Sequence, residues 1–330
     1  MTKMPMNTCA GAAVVACLLL TATVAPARAE TITFNLNWLP QGEHCGFFQA
    51  EAAGLYEAAG LEVEILAGGP NVNVNQLVAG GRVDLGMGSA FTALNLANGG
   101  VDAVTVAAFF QKSPQTLVAH PGTGVETLAD LKDRKIMVAN FSRQEFWQFL
   151  KAEHGFSDEQ LLPYAYSAAP FLADRMAVQQ GYITEDALLL GAEMPEPPVT
   201  VLLADHGFDD YASTVYGMRD WIEANRAEVQ AFLDATAEGY AQCLAGEAEE
   251  AKAAIMAANP DHSAELFDFK LEQMRARNLV TGEGDLAIGQ MEPDRWAGFV
   301  ATMVKAGVYP ASIEAPALYD LSFMSPDDAS

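Results

Sequence analysis

The segment that decides the fold runs from residue 37 to residue 63. It reads Asn37-Trp38-Leu39-Pro40, His44-Cys45-Gly46-Phe47-Phe48, Leu55-Tyr56 and Gly60-Leu61-Glu62-Val63. This pattern predicts that a strand ends at a Trp-Pro turn, that a short aromatic helix follows, and that a second strand then begins. In α/β folds, ligands bind beyond the carboxyl ends of strands. We therefore expect an indole and an imidazole at a binding edge, with a flat small molecule as the ligand.

The first 29 residues predict a secretory signal peptide. Lys3 supplies a positive start, residues 10–24 form an apolar run, and Ala27-Arg28-Ala29 fits a cleavage site. A run of about fifteen residues is shorter than the roughly 20 that a membrane span needs. We expect cleavage after Ala29 and a soluble periplasmic chain that does not insert into the membrane, with lipid anchoring at Cys17 as the alternative.

The composition is strongly acidic. The chain of 330 residues carries 18 Lys and Arg against 43 Asp and Glu, a formal net charge of −25. Cleavage would remove two of the basic residues and none of the acidic ones, which leaves −27. Nucleic acid is excluded as a partner because its binding needs a cationic surface. Anionic membranes and small anions such as sulfonate or nitrate are disfavoured, although one buried Arg could still bind an anion locally.

Two cysteines, Cys45 and Cys243, remain after cleavage. They can pair in an oxidising compartment, but they lie far apart in the sequence and in different patterned contexts. We therefore predict two separate buried thiols. No Cys/His cluster suggests a metal site, and the chain lacks the P-loop, G-x-S-x-G and H-E-x-x-H motifs. We assign no catalytic residue, metal or cofactor.

Strands and helices alternate along the chain, which predicts an α/β fold. The expected strands lie at 31–37, 61–66, 83–87, 104–110, 135–140, 162–166, near 187–190 and at 199–203. Ser89 opens one helix, and Ser142 with Glu145 reads as a capping box that opens another. The pattern after residue 213 is rich in helices. We expect doubly wound, mostly parallel sheets.

The length predicts two lobes, because about three hundred mature residues exceed one compact core. We place residues 30–118 and 213–330 in the first lobe and residues 119–212 in the second. The chain then crosses between the lobes twice. Two crossings form a hinge, and closing it traps a ligand between the lobes. We expect the protein to be a monomer.

The chain resembles the periplasmic substrate-binding proteins of ABC importers, in the branch that contains the NMT1/THI5-like thiamine-pyrimidine proteins. The resemblance covers residues 31–324 and is carried by Trp38-Leu39-Pro40, His44, Gly46-Phe47, Ala50, Gly54-Leu55-Tyr56, Gly60-Leu61, Val63, Gly68-Gly69-Pro70, Gln76-Leu77-Val78-Ala79, Gly81-Arg82-Val83-Asp84, Gly181-Tyr182-Ile183-Thr184-Glu185, Trp296 and Leu318-Tyr319-Asp320. It implies a two-lobed type II binding-protein fold that passes a small molecule to an ABC permease and its ATPase. Relatives in this branch bind aminopyrimidines or flavin-type heterocycles, and more distant ones bind nitrate, taurine or alkanesulfonates.

Seven residues are candidate ligand contacts: Asn37, Trp38, His44, Ser89, Phe141, Tyr182 and Glu185. Trp38 would stack on a flat ring. His44 and Asn37 would form hydrogen bonds to ring nitrogens. The alternatives are a core indole for Trp38, an ordinary satisfied side chain for His44 and a sheet-edge amide for Asn37.

The other four candidates lie on the facing segments. Glu185 would accept a hydrogen bond from an exocyclic amine or a protonated ring nitrogen, beside Tyr182; the alternative for Glu185 is a solvated loop. Ser89 opens a helix whose free N–H groups could hold a polar or anionic group. Phe141 borders the matching loop of the second lobe.

The favoured function is a receptor for a thiamine-precursor aminopyrimidine or a related heterocycle. The alternatives are a receptor of the same fold for nitrate, sulfonate, taurine or flavin, a periplasmic sensor domain, and an enzyme. The enzyme would make the thiamine pyrimidine from its own histidine and bound pyridoxal phosphate, as eukaryotic relatives do. Those relatives carry a Cys-rich run that this chain lacks, and a signal peptide does not fit a cytosolic reaction.

Overall fold

The computed structural model describes residues 1–2, 30–208, 210–284 and 286–323. Residues 3–29, which carry most of the predicted export signal and Cys17, lie outside the described residues. Among the residues that are described, no helix is both long enough and apolar enough to cross a bilayer.

The first sheet has the strand order β2-β1-β3-β10-β4. Its strands are β1 (Glu30–Asn35), β2 (Leu61–Leu66), β3 (Leu85–Ser89), β4 (Ala103–Phe110) and β10 (Ala212–Met218). Four of them point the same way, because β1 is parallel to β2 and β3 while β10 is antiparallel to both β3 and β4. Ile32, Phe34 and Leu36 are buried, as their alternation predicts.

The second sheet has the strand order β7-β6-β8-β5-β9. Its strands are β5 (Gln115–Ala119), β6 (Ile136–Val138), β7 (Leu161–Pro163), β8 (Val178–Tyr182) and β9 (Val199–Leu202). Here β5 is the reversed strand, antiparallel to β8 and β9, while β6 is parallel to β7 and β8. The α/β class and the mostly parallel character of both sheets are confirmed. In each sheet the reversed strand is the one that the chain enters after a crossing.

The two crossings between the sheets are short. The chain leaves the first sheet at Phe110 and joins the second at Gln115, so the first crossing lies a few residues before the predicted boundary at residue 118. It returns to the first sheet at Ala212, next to the predicted boundary at residue 213. The first lobe comprises the elements built on the first sheet, and the second lobe comprises those built on the second sheet.

Arg295 holds the two crossings together. Its guanidinium lies 3.8 Å from the ring centre of Tyr211 in the second crossing. It also donates to the carbonyl oxygen of Gln111 in the first crossing, at 2.5 Å, and to the carbonyl oxygen of Asp210 in the second, at 3.4 Å. The guanidinium of Arg295 therefore fixes the spacing of the two crossings by donating to the backbone of each.

Twelve helices among the described residues flank the sheets. They are α1 (Cys45–Ala52), α2 (Leu55–Ala58), α3 (Val74–Ala79), α4 (Ala90–Asn98), α5 (Phe146–His154), α6 (Ala169–Ala173), α7 (Asp186–Glu193), α8 (Arg219–Ala224), α9 (Arg226–Ala245), α10 (Glu249–Ala258), α11 (Ala264–Ala276) and α12 (Pro293–Lys305). The strand predicted near residues 187–190 is wrong, since that apolar run lies in α7. Short apolar runs fit a buried strand and a buried helix equally well.

A disulfide joins Cys45 to Cys243, so the prediction of two separate thiols is wrong. The long separation in sequence gave no sign that the two cysteines are neighbours. In the fold, α1 packs directly on α9. A Cβ added to Gly239 would lie 2.2 Å from the carbonyl oxygen of Gly46. The two helices therefore approach more closely than larger residues would permit, which brings the neighbouring cysteines within bonding distance.

We expect removal of this disulfide to destabilise the protein. Opening a cross-link between positions 198 residues apart should lower the free energy of unfolding by about 2–5 kcal/mol, because the unfolded chain gains freedom. Denaturant unfolding with and without reductant measures the change. The double variant Cys45→Ser/Cys243→Ser should have the same free energy of unfolding as reduced wild type, with or without reductant. Equal stability of oxidised and reduced wild type would contradict the expectation.

Candidate functional site

Aromatic rings from both lobes meet just beyond the end of β1. The half-buried ring of Trp38 lies 5.2 Å, centre to centre, from Tyr166 of the second lobe, and Tyr166 lies 5.5 Å from Tyr164. The backbone of Tyr166 has a φ of 55°, a conformation that is uncommon for residues other than glycine. The structure thus presents three aromatic rings at the boundary between the lobes, where a flat ligand would find faces to stack on.

The position of Trp38 depends on Gly68. The amide of Gly68 donates to the carbonyl oxygen of Trp38 at 3.0 Å. A Cβ at Gly68 would lie 2.6 Å from the amide nitrogen of Trp38 and 2.6 Å from the carbonyl carbon of Asn37. Only glycine permits the loop after β2 to lie against this backbone. Asn37 itself is exposed beside Trp38, so these two predicted site residues lie together.

Ser89 and Glu145 join the lobes at a second point. The hydroxyl of Ser89, at the N-terminus of α4 in the first lobe, donates to the carboxylate of Glu145 in the second lobe at 3.2 Å. The same hydroxyl accepts from the amide of Thr92. No cation among the described residues forms an ion pair with Glu145. This places a carboxylate without a cationic partner at the boundary.

The capping box predicted from Ser142 and Glu145 is wrong. Residues 142–144 form a 3-10 turn, and Glu145 itself occupies the position that precedes α5, with no side-chain capping bond there. Glu145 has φ −120° and ψ −110°, and its side chain accepts from Ser89 rather than capping the helix. A local signal was correct about where a helix begins and wrong about where the carboxylate points.

The N-terminus of α4 is occupied by a carboxylate of the protein. Asp210, from the second hinge crossing, accepts a hydrogen bond from the amide of Ala90 at 3.0 Å and is buried. The backbone amide of Phe91 also interacts with it. The expectation that these N–H groups are free for an anionic ligand is therefore wrong. An anion at these amides would have to displace Asp210.

Both of these carboxyl groups have raised pKa values. Burial raises the pKa of Glu145 from 4.5 to about 8, and its bond to Ser89 only partly offsets this. Burial and the neighbouring charge of Glu145 also raise the pKa of Asp210 well above its usual value. A raised carboxyl pKa means that the ionised form lacks compensation. A bound cation, or a ligand rich in N–H donors, would supply what is missing.

The end of β8 and the turn after it contribute Tyr182 and Glu185. Tyr182 is 44% exposed, and partial burial, with the charges of Glu145 and Glu43, raises the pKa of its hydroxyl. Glu185 forms an ion pair with Lys270, with 2.7 Å between Oε2 and Nζ. Tyr182 therefore borders the same region as Glu145, whereas Glu185 is engaged by a residue of the first lobe.

His44 and Phe141 lie in contrasting environments. His44 is only 1% exposed, and its Nδ1 has no hydrogen-bond partner. Burial, with smaller contributions from Lys270 and His262, lowers its pKa to about 3, so the imidazole is neutral. Phe141 is 60% exposed on the loop after β6. The structure brings Trp38, Ser89 and Tyr182 toward the boundary between the lobes, and it encloses His44 in protein.

Four important residues were absent from the sequence-based candidates for ligand contacts: Glu145, which was expected only to cap a helix, Tyr166, Asp210 and Lys270. Asp210 lies in a hinge crossing and Lys270 lies within a helix, so neither has a local motif. Tyr166 fell at the end of a predicted strand. The only usable signal was the aromatic pair Tyr164 and Tyr166 in the second lobe, which alternates as a strand would.

Two surface hollows lie elsewhere. One, of about 430 Å³, is lined by Gln49, Gln242 and Glu247, and the other, of about 220 Å³, by Lys132, His154 and His206. Neither contains a residue of the lobe boundary. Within the described parts of the chain, no group of three His, Cys, Asp or Glu side chains is arranged to hold a metal ion. Converging polar and aromatic groups, rather than these hollows, identify the candidate site.

Comparison with known proteins places the chain in a family. Residues 41–250 match the family described as "NMT1/THI5 like", and the protein belongs to it. The 4-amino-5-hydroxymethyl-2-methylpyrimidine phosphate synthase THI11 of Saccharomyces cerevisiae is 30% identical over 108 residues. That match spans 32% of this chain and 32% of the yeast protein, about a third of each.

Two longer matches cover most of the chain. The riboflavin-binding protein RibY of Chloroflexus aurantiacus is 25% identical over 268 residues, which are 78% of this chain and 70% of RibY. The crystal structure of the periplasmic aliphatic sulphonate binding protein SsuA from Escherichia coli superposes with a TM-score of 0.65 at 15% identity, covering 87% of this chain and 91% of SsuA. At that identity the similarity shows the fold, which is that of periplasmic binding proteins.

We expect the stability that Glu145 contributes to fall as the pH rises from 5 to 8. Its folded pKa lies above the ordinary value of 4.5, so the folded protein binds this proton more tightly than the unfolded chain. The stabilisation is complete below pH 4.5 and is lost as the pH rises to about 8. Between pH 5 and 8, the free energy of unfolding measured with denaturant should fall less steeply with pH for Glu145→Gln than for wild type.

Glu57→Gln, at an exposed position on α2, is the matched control for this measurement. It removes one carboxylate from the first lobe without touching the lobe boundary, and its slope should equal that of wild type. A Glu145→Gln slope that also equals wild type would contradict the assignment of a raised pKa to Glu145.

Proposed function

We propose that this protein is an extracytoplasmic receptor of an ABC importer. It binds a small planar nitrogen heterocycle between its lobes and hands it unaltered to a permease and its ATPase. The preferred ligand carries an amino group or a protonated ring nitrogen, as a thiamine-precursor aminopyrimidine does. The family and the two-lobed fold support the receptor role, and the polar groups of the boundary support the ligand class.

The residue that carries the ligand class is Glu145. It lies within hydrogen-bond distance of Ser89 across the boundary, and its charge influences Tyr166 and Tyr182. A carboxylate near aromatic faces suits a flat cation or an N–H donor, because stacking and a charge-assisted hydrogen bond can act on the same ring. The names of the yeast synthase and of RibY both concern nitrogen heterocycles, which agrees with this ligand class.

A sulfonate or nitrate receptor is the second candidate, and the fold shared with SsuA favours it. The local chemistry argues against it. Asp210 already accepts from the amide at the N-terminus of α4, and Glu145 lies close enough to raise its pKa. An anion at this site would make ionising these two carboxyl groups still less favourable, whereas a cation or an N–H donor would favour it.

The enzyme alternative also lacks support, because neither Cys45 nor the buried Lys270 is available as a nucleophile. Cys45 is joined in a disulfide. Burial opposes the charged form of Lys270, but attraction by Glu43 and Glu185 outweighs it and raises the pKa of Lys270. A protonated lysine held between two carboxylates is a poor nucleophile for a Schiff base with pyridoxal phosphate. A pyridoxal absorbance band in the purified protein would support the enzyme instead.

A ligand screen tests the proposed function. Thermal unfolding is measured with 4-amino-5-hydroxymethyl-2-methylpyrimidine, riboflavin, taurine, an alkanesulfonate and nitrate. A ligand at about 1,000 times its Kd should add about 4 kcal/mol to the free energy of unfolding. We expect a heterocycle to stabilise wild type, and Glu145→Gln to lose that stabilisation if the ligand is an amine. Stabilisation by the sulfonate or nitrate alone would contradict the proposal.

We expect Trp38→Ala to weaken heterocycle binding by at least about tenfold, equivalent to about 1.4 kcal/mol, while the melting temperature changes little. The indole is half-buried at the boundary and would lose its stacking on the ligand. Titration calorimetry with the ligand found in the screen measures the affinity. Trp221→Ala on α8, also half-buried but in the first lobe, is the control and should keep full affinity.

A large loss of stability in Trp38→Ala with unchanged affinity would assign Trp38 to the core. The same result would remove the aromatic component of the proposed site while leaving the role of Glu145 intact.

A further inference from the structure

A buried lysine of the first lobe bridges two carboxylates that belong to different lobes. The ammonium of Lys270 on α11 lies 2.8 Å from Oε1 of Glu43 and 2.7 Å from Oε2 of Glu185. Glu43 precedes α1 in the first lobe, and Glu185 precedes α7 in the second. The Lys270 side chain is fully buried, and the side chain of Glu43 is 6% exposed.

A hydrogen bond crosses the boundary beside this ion pair. The hydroxyl of Thr184, in the second lobe, donates to Oε1 of Glu43 at 2.5 Å, and both residues are buried. One carboxylate oxygen of Glu43 thus accepts from Lys270 in its own lobe and from Thr184 in the other. The boundary is held by two contacts that converge on neighbouring atoms.

The first lobe fixes Glu43 and Lys270 before any contact with the second lobe. The backbone carbonyl of Glu43 accepts from the hydroxyl of Tyr240 at 2.8 Å. A Cβ at Gly42 would lie 2.8 Å from Cβ of Lys270, so the turn before α1 packs directly on α11. This half of the contact is rigid, and Glu185 with Thr184 is the half that can separate.

We propose that Glu43 and Lys270 form an interlobe latch with Thr184 and Glu185, and that these four residues set ligand affinity by stabilising the closed arrangement. They are positioning residues. Glu185, expected from the sequence to bind the ligand, instead acts on the relative position of the lobes. The proposal rests on the two-lobed fold and holds whatever the ligand is, so it can fail or succeed independently of the ligand class.

Charge balance explains why the latch closes and can still open. Burying an ammonium is unfavourable unless carboxylates surround it. When the lobes separate, Lys270 keeps Glu43, so the open form retains a neutral pair and loses only Glu185 and Thr184. Without Lys270, two carboxylates from opposite lobes would face each other. The lysine is therefore what permits this part of the boundary to close.

Distance measurement between the lobes tests the latch. Spin labels are attached at the exposed positions Glu57→Cys and Glu159→Cys, and pulsed dipolar spectroscopy is recorded on protein dialysed free of small molecules. We expect Glu185→Gln to lower the ratio of closed to open molecules by about fivefold. This change is near the upper end of the stabilisation that a partly exposed ion pair contributes. Lys270→Met should lower it further.

The matched control is Lys252→Met, which removes an ion pair with Asp268 that lies within the first lobe. Its distance distribution should equal that of wild type. If Lys270→Met fails to fold, the double variant Thr184→Val/Glu185→Gln replaces it, because it alters only the second lobe. A Glu185→Gln distribution identical to that of Lys252→Met would overturn the proposal, as would a wild type that is already fully open.

Discussion

The cost of ionising two buried carboxyl groups at the boundary between the lobes is the constraint on which the proposed site depends. Glu145 reaches Ser89 across that boundary, and Asp210 lies on the N-terminus of α4. Their pKa values are raised because neither carboxylate is fully compensated. The proposed ligand class depends on these carboxyl groups, since aromatic faces alone would accept a flat molecule of any charge.

The topology creates this arrangement. Strands β3 and β8 end at the boundary residues Ser89 and Tyr182, and β1 ends shortly before Trp38. The reversed strands β5 and β10 each follow a crossing between the sheets. The second crossing therefore carries Asp210 to the N-terminus of α4. Arg295 fixes the spacing of the two crossings through their backbone carbonyls. The second crossing and the proposed site share Asp210, so we expect any movement of the lobes to alter the electrostatics of the site.

Positive charge at the boundary is used differently. Lys270 is held between Glu43 and Glu185, so its charge is neutralised within the protein rather than offered to a ligand. The same boundary thus has a compensated region around Lys270 and an uncompensated region around Glu145. The first suits contact between lobes and the second suits contact with a ligand. We therefore propose a structural role for Glu185, in the family segment, and a ligand-binding role for Glu145.

The sequence predicted those features that depend on local pattern. Alternation identified β1 and its buried face, and the residues around Trp38 identified the family. It failed where contacts join distant segments. The Cys45–Cys243 disulfide depends on α1 packing against α9. The proposed role of Glu145 depends on a contact between the lobes, and that of Asp210 depends on the path of the second crossing. The run in α7 was misassigned because four consecutive apolar residues have no period to measure.

The most direct test is a crystal structure of the protein with the ligand that remains bound through purification from the periplasm. We predict a planar nitrogen heterocycle between the lobes, stacked on Trp38 or Tyr166, with an N–H group within hydrogen-bond distance of Glu145. An anion bound to the amides at the N-terminus of α4, with Asp210 displaced, would contradict this prediction.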